Sequence, residues 1–267
     1  MPTKTHKSNF IGTCMTLICA FGGIAGLSHS AAAMEKVHRG VTLEAIEAQA
    51  SEAVNAGIVS QSEGLDRMSS ALDLIYSKSK RNAAKIEGLK YNGRVRLVYA
   101  PNKVQDGTRL NSGTTAYYAP DFQTQGSDTH SERFVVVIRH MGLNWSTAEL
   151  AGVIVHELSG HARQDLMNRI AGSEVNDLEC EASLHEESAY QDLAVEKTSR
   201  RMVKFRQILE NRFCANFRAY MKRTSPEQMK LWDMVNLDVK ALLKNFRAYR
   251  NAPKSQLSEQ DVSLNLR

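Results

Sequence analysis

Apolar residues recur along the chain with two different periods, and these periods predict its secondary structure. Within residues 34–90, apolar positions such as Leu65, Met68 and Leu72 lie three and four residues apart, which is typical of an amphipathic helix. Ser60 can cap the start of this helix, because a serine oxygen accepts hydrogen bonds from the first free backbone N–H groups. The pattern therefore predicts an N-terminal helical segment over residues 34–90.

The middle of the chain has the shorter period of strands. Residues 94–99 alternate between polar and apolar side chains, residues 114–118 form a second short candidate, and residues 134–138 are a continuous apolar, largely β-branched run. Glycine and proline residues separate these segments into loops. We expect a small antiparallel sheet of about three strands, with residues 134–138 in its interior and residues 115–118 nearer its edge.

Helical periodicity returns after this sheet. Ser146 is a candidate N-cap for a helix that Gly172 ends. A second helix is expected from about Ser173 past Ala194, and further amphipathic helices follow to about Tyr249. The sum of these elements is an α+β fold that is mostly helical.

The N-terminus resembles a secretory signal peptide. Basic residues precede an apolar stretch over residues 10–27, and small residues follow it. Ala31 and Ala33 satisfy the small-residue rule for cleavage, which predicts removal of residues 1–33 and export to the periplasm or the extracellular space. An uncleaved membrane anchor is the alternative, because the stretch approaches the length that spans a bilayer. No other segment is long and apolar enough, so no stable span is expected after cleavage.

Two of the four cysteines, Cys180 and Cys214, remain after this cleavage. In an oxidising compartment they can form one disulfide between two helices. Two buried thiols are the alternative, and the sequence leaves the choice open.

Composition and charge exclude few classes of function. The 267 residues carry a formal net charge of +5, and most of the excess lies after Glu196 in the amphipathic segments. We assign residues 201–252 to basic C-terminal helices and residues 253–267 to a polar tail. A solvated helix face explains this charge, with a surface for a partner as the alternative. No nucleic-acid-binding motif accompanies it, so no nucleic acid is expected as a partner.

The candidate chemistry lies in residues 150–163, LAGVIVHELSGHAR, where an apolar helix runs into His156 and Glu157. Imidazoles bind zinc through a ring nitrogen, and a carboxylate beside the metal can take a proton from its bound water. His161 follows His156 by five residues, which turns a regular helix by about 500° and leaves the imidazoles about 140° apart. They converge only if the turn widens, for example into a π-bulge, and Gly160 makes that distortion easier.

This hexapeptide resembles the HExxGH motif of the dipeptidyl peptidase III family. The resemblance implies that His156 and His161 bind zinc and that Glu157 is the general base. Glutamate-type zincins take a third ligand from a following helix with the pattern ExxA, which implies Glu179 in Glu-Cys-Glu-Ala. Glu186 in Glu-Glu-Ser-Ala is the named alternative. The resemblance is confined to these two short motifs, so we expect a zincin-like catalytic core over residues 91–200 but not membership in that family.

The predicted function is therefore that of an exported zinc metallohydrolase, and the expected class is a peptidase acting on a peptide or protein substrate. In this hypothesis Glu157 accepts a proton from the attacking water. Two other classes stay open: a degenerate zincin that binds metal without catalysis, and an exported helical interaction protein. The sequence does not predict the substrate, endo- or exopeptidase action, or the oligomeric state.

Overall fold

The computed structural model describes residues 33–48, 57–101, 114–120 and 132–253. The strands are β1 (Ala33–His38), β2 (Val41–Ile46), β3 (Arg94–Tyr99), β4 (Ala116–Tyr118) and β5 (Glu132–Ile138). The α-helices are α1 (Gln61–Lys78), α2 (Lys80–Asn92), α3 (His140–Leu143), α4 (Thr147–Val155), α5 (Arg163–Leu166), α6 (Val175–Asp192), α7 (Arg200–Ile208), α8 (Ala215–Thr224), α9 (Lys230–Asp233) and α10 (Val239–Arg250). The described residues thus form an α+β fold with a helical majority, as the sequence predicts.

The sheet has five strands in the order β1-β2-β3-β5-β4. Strands β2, β3 and β5 run parallel, whereas β1 and β4 lie antiparallel to their neighbours at the two edges. The expectation of a small antiparallel sheet was therefore wrong: the sheet is mixed. The physical reason is that β5 pairs directly with β3 and runs parallel to it, while β4, which lies between them in the chain, pairs at the edge beyond β5. The connection from β2 to β3, which carries α1 and α2, likewise returns the chain in the same direction.

The N-terminal part of the predicted helical segment is also wrong, because β1 and β2 form a hairpin over residues 33–46. Arg39 and Gly40 make its two-residue turn with positive φ angles of 51° and 71°. Val41, Leu43 and Ala45 are fully buried on one face of β2. An arginine is an uncommon residue at a position with positive φ, which is why the turn did not stand out in the sequence.

The helical prediction holds from residue 61 onward. Helix α1 begins after Ser60, whose side chain accepts a hydrogen bond from the backbone N–H of Glu63 at 3.2 Å. The apolar positions Leu65, Met68 and Leu72 are buried against the sheet and against α4. This packing forms the main core, in which α1 contacts both β2 and α4.

The C-terminal helices form a second core against the far side of α6. Phe217 and Phe246, from α8 and α10, pack edge to face with ring centroids 5.1 Å apart. Cys180 of α6 and Cys214, directly before α8, form a disulfide. This bond closes a loop of the size for which a disulfide contributes roughly 2–4 kcal/mol of stability, and it fixes α6 to the C-terminal helices.

The predicted signal peptide lies almost wholly outside the described residues, which begin at residue 33. Among the helices of the described part, none combines the length and the apolar character needed to cross a bilayer. The signal peptide and the export of the chain therefore stay predictions.

Candidate metal centre

One long buried helical segment carries the motif. Ser146 caps α4 through a capping box with Glu149, as its position in the sequence predicts. Helix α4 then continues directly into a π-helical turn, His156–Ala162, and into α5. Every residue of the π-helical turn is buried, so the motif lies inside the protein at the junction between the sheet and α6.

The π-helical turn brings the two histidine side chains together despite their five-residue spacing. Because the turn is wider than an α-helical one, His156 and His161 point to the same side, and their Nε2 atoms lie 3.2 Å apart. The sequence requires a widened turn for the two imidazoles to converge, and the structure has one at the motif.

Helix α6 brings Glu179 to the two imidazoles. Its carboxylate oxygens lie 3.4 Å from Nε2 of His156 and 3.5 Å from Nε2 of His161, and all three side chains are buried. Both carboxylate oxygens lack a hydrogen-bond partner among the described residues. Buried polar atoms are almost always satisfied, so these oxygens indicate a ligand. The three residues, His156, His161 and Glu179, form a group that could bind a metal ion, here called the donor group.

Glu186, the alternative to Glu179 as the third ligand, contacts the Nδ1 side of the His156 ring. Its Oε2 atom is 2.9 Å from Nδ1 of His156, on the far side of the ring from the donor group. The hydroxyl of Tyr190 donates to Oε1 of the same carboxylate at 2.6 Å. This arrangement lets His156 donate from Nδ1 to Glu186 and leaves the Nε2 lone pair directed at the donor group.

Gln164 supports His161 in the same way, and sequence reasoning missed it. Its Oε1 atom accepts from Nδ1 of His161 at 3.0 Å. Its amide nitrogen donates to the backbone carbonyl of Leu178 and to Glu181. Since Gln164 follows His161 by three residues on one helix, the spacing was the available signal.

Gly160 allows α6 to approach the motif closely. An added Cβ at residue 160 would lie 2.5 Å from Cβ and 2.7 Å from Cα of Ala182, both closer than van der Waals contact permits. Ala182 is the alanine of the ExxA pattern that begins at Glu179. The two small residues therefore face each other, and their contact sets the distance between Glu179 and the histidines.

We expect Gly160→Ala to lower the affinity for Zn²⁺ at least tenfold, because the added methyl group pushes Glu179 away from the imidazoles. Overpacking of this kind also costs about 1–3 kcal/mol of stability. Metal titration and thermal unfolding measure the two effects. Gly88→Ala is the matched control, because Gly88 lies in α2 with nothing within 4 Å of an added Cβ. Unchanged affinity in Gly160→Ala would show that the contact does not set the site.

Glu157 lies directly beside the donor group but is not part of it. The side chain is 1 % exposed, and its Oε2 atom has no hydrogen-bond partner among the described residues. Burial raises the pKa of the Glu157 carboxyl, although the positive charges of His156 and His161 oppose this effect. A buried carboxyl with a raised pKa next to side chains that could bind a metal ion is suited to accepting and releasing a proton.

The charges of the centre favour a bound cation. Burial raises the pKa of Glu179, but the neighbouring His161 and His156 outweigh it and lower that pKa to about 2. Burial also opposes protonation of His156, yet the neighbouring carboxylates of Glu179 and Glu186 raise its pKa well above the ordinary value. The carboxylates thus draw positive charge into the centre, and a metal ion would supply that charge instead of protons on the imidazoles.

Other histidine and tyrosine side chains of the fold have partners outside the candidate centre. The hydroxyl of Tyr118 donates to Asp165 at 2.7 Å, and His140 contacts the backbone carbonyl of Pro101 through Nδ1 at 2.9 Å. His185 is buried beside Lys85, with 2.8 Å between Nδ1 and Nζ. These contacts are structural, so the candidate centre consists of His156, His161, Glu179 and their immediate neighbours.

The chain matches no protein-family model, no curated protein and no solved structure. The assignment of a candidate metal centre therefore rests on the positions of the chain's own side chains.

Proposed function

We propose that this protein is an exported zinc peptidase with a zincin-like core. The observation that carries the proposal is the grouping of Nε2 of His156, Nε2 of His161 and the Glu179 carboxylate. The two nitrogens are 3.2 Å apart, and the two carboxylate oxygens lie 3.4 Å from His156 and 3.5 Å from His161. A tetrahedral zinc site with bonds of about 2.0–2.2 Å keeps its donor atoms about 3.3–3.6 Å apart. The two nitrogen–oxygen distances fall within that range, and the distance between the nitrogens is slightly shorter.

The identity of the donors supports zinc and a catalytic role. Two imidazole nitrogens and one carboxylate oxygen are a donor set of catalytic zinc sites, which keep a fourth position open. When bound, zinc supplies a Lewis acid and a water molecule of lowered pKa. A structural site, by contrast, would be closed by four protein ligands, and only three donors converge among the described residues.

In the proposed mechanism Glu157 moves the proton. Its carboxylate accepts a proton from the water that attacks the amide carbonyl, and it then delivers that proton to the leaving amine. The burial of Glu157 raises its pKa and so makes it a better proton acceptor. Because bulk water is excluded around it, a proton on this carboxyl is passed to the substrate rather than lost to solvent.

Two further side chains hold the imidazoles in place. Glu186 fixes the ring of His156, and Gln164 fixes the ring of His161, so both Nε2 atoms face the donor group. Tyr190 in turn holds Glu186. We regard these as positioning residues, since they act through the ligands and do not reach the substrate.

The position of β4 supports a peptide substrate. Among the described strands, β4 pairs with β5 alone and lies at an edge of the sheet, and it packs against the π-helical turn of the motif. An extended peptide can pair with the backbone of such an edge and lie across the centre. Thr115, directly before β4, lines the same cleft as His156.

The test is a metal analysis combined with an activity assay on the purified protein. We expect one tightly bound zinc ion per chain and hydrolysis of a peptide mixture, read by mass spectrometry. Removal of the metal with 1,10-phenanthroline should stop hydrolysis, and added Zn²⁺ should restore it. Hydrolysis that survives complete removal of the metal would contradict the proposal. Bound zinc without hydrolysis would show that the protein binds the metal without acting as a peptidase.

A further inference from the structure

A cleft of about 810 Å³ opens beside the metal centre between β4 and α7. His156 and Glu186 lie at its base, and Thr115, Met141 and Trp145 line the side toward the sheet. The opposite wall is α7. A peptide that lies along β4 and reaches the centre must therefore face the side chains of α7.

The α7 wall is strongly cationic. Arg200, Arg201 and Lys204 all line the cleft, whereas Glu186 is the one acidic residue among the described residues that line it. Glu186 is already engaged, because one of its oxygens contacts His156 and the other accepts from Tyr190. The field in the cleft is therefore positive and favours an anionic ligand.

The three basic side chains differ in the residues that they contact. Arg201 forms an ion pair with Glu149 at 2.9 Å and stacks on Trp145 with 4.0 Å to the ring centroid, so it serves as part of the wall. Arg200 is exposed and forms no hydrogen bond or ion pair with any described residue. Lys204 follows it by one helical turn on the same face of α7. Arg200 is thus available to a ligand, and Lys204 adds a second charge beside it.

Two buried hydroxyls also point to a ligand. Thr115 and Ser183 line the cleft and are at most 1 % exposed, yet their Oγ1 and Oγ atoms have no hydrogen-bond partner among the described residues. A buried hydroxyl without a partner costs about 1–3 kcal/mol. A bound peptide offers backbone N–H and C=O groups that satisfy such hydroxyls.

We propose that this cleft selects peptides that carry a carboxylate, and that Arg200, with Lys204, recognises that group. The carboxylate is either an acidic side chain or the C-terminus of the peptide. This inference rests on the proposed peptidase function and adds a substrate class to it. The apolar side chains of Trp145 and Met141 complete the cleft and favour an apolar residue next to the carboxylate.

Binding of four forms of one fluorescently labelled peptide tests the inference. The peptide has Glu or Gln at the same positions, and each version ends in a free carboxylate or an amide. Dissociation constants are measured by anisotropy on the zinc-loaded Glu157→Gln protein, so that the peptide is not consumed. We expect at least one carboxylate form to bind about tenfold tighter than the Gln amide form. The form that does so identifies the source of the carboxylate.

The double variant Arg200→Gln with Lys204→Gln should reduce this ratio to near one. The matched control is Lys240→Gln with Lys244→Gln, which removes the same charge at the same spacing from exposed positions of α10 outside the cleft. We expect the control to keep the ratio. Arg200→Gln alone, which leaves Lys204 in place, should give an intermediate ratio.

Equal or undetectable binding of all four forms would overturn the inference, as would a ratio that survives in the Arg200 and Lys204 double variant. Hydrolysis of the same peptides by the wild-type protein is measured in parallel. Preferential binding without hydrolysis would refute the proposed function but leave the carboxylate site standing. Hydrolysis without any preference would refute the site and leave the function standing.

Discussion

Replacement of Glu157 with glutamine is expected to leave the zinc content of the protein nearly unchanged and to reduce peptide hydrolysis by about 10²–10⁴-fold. Glutamine has the same shape as glutamate, but its amide cannot accept the proton of the attacking water. The three converging donors come from His156, His161 and Glu179, so the ion keeps its ligands. Elemental analysis measures the zinc, and kcat/KM measures the loss of activity.

The matched control for this change is Glu227→Gln, which alters the charge equally at an exposed position far along the chain. It should change neither zinc content nor kcat/KM. Loss of zinc in Glu157→Gln would show that Glu157 is itself a ligand, and the proposed role as general base would then be wrong. Full activity in the variant would refute that role as well.

The second large effect concerns the third ligand. We expect Glu179→Ala to abolish zinc retention after dialysis, because it removes one of three donors to the ion. Glu186→Ala should retain zinc with an affinity lowered by about 10–100-fold, the usual effect of losing a residue that orients a ligand. Competition with a chromogenic chelator measures both affinities.

Circular dichroism shows whether each variant is folded. A folded Glu179→Ala protein that holds zinc fully, together with loss of zinc in Glu186→Ala, would reverse the assignment of the third ligand. Tyr190→Phe gives a milder test of the same arrangement. It keeps Glu186 but removes the hydroxyl that holds it, so the zinc affinity should fall by less than in Glu186→Ala.

The local part of the centre could be predicted because it depends on short sequence distances. The five-residue spacing from His156 to His161 is incompatible with a regular helix that directs both imidazoles to one metal, so a widened turn follows from helix geometry alone. The N-cap at Ser146 likewise depends on residues within one helical turn. Both features are present in the structure.

The choice between Glu179 and Glu186 could not be predicted, because seven residues of helix return nearly to the same face. The connection before α6 decides which of them reaches the Nε2 atoms of the imidazoles. The helical segment that carries the motif ends at Leu166, Asn168 adopts a φ of 52°, and α6 begins only at Val175. Because Gly172 is a residue that ends helices, the sequence predicted a later and tighter turn. The connection between Leu166 and Val175 is longer than that prediction.

The sheet was mispredicted for a related reason. Parallel pairing of β2 with β3 depends on the path of the whole chain between them, and no short pattern in the sequence encodes that path. The role of Gly160 was also only half predicted. The sequence suggested that glycine eases a distorted turn, whereas the structure shows that the missing side chain admits Ala182.

The three converging donors lie within one short stretch of chain, from His156 to Glu179, on two consecutive helical segments. The entropy that must be given up to bring chain ends together grows with the length of the loop between them. Joining the donors therefore requires closure of a short loop, whereas pairing β2 with β3 requires two segments that are much further apart in sequence. If these donors bind a metal ion, its capture is a local step of folding, which can precede the slower pairing of distant strands.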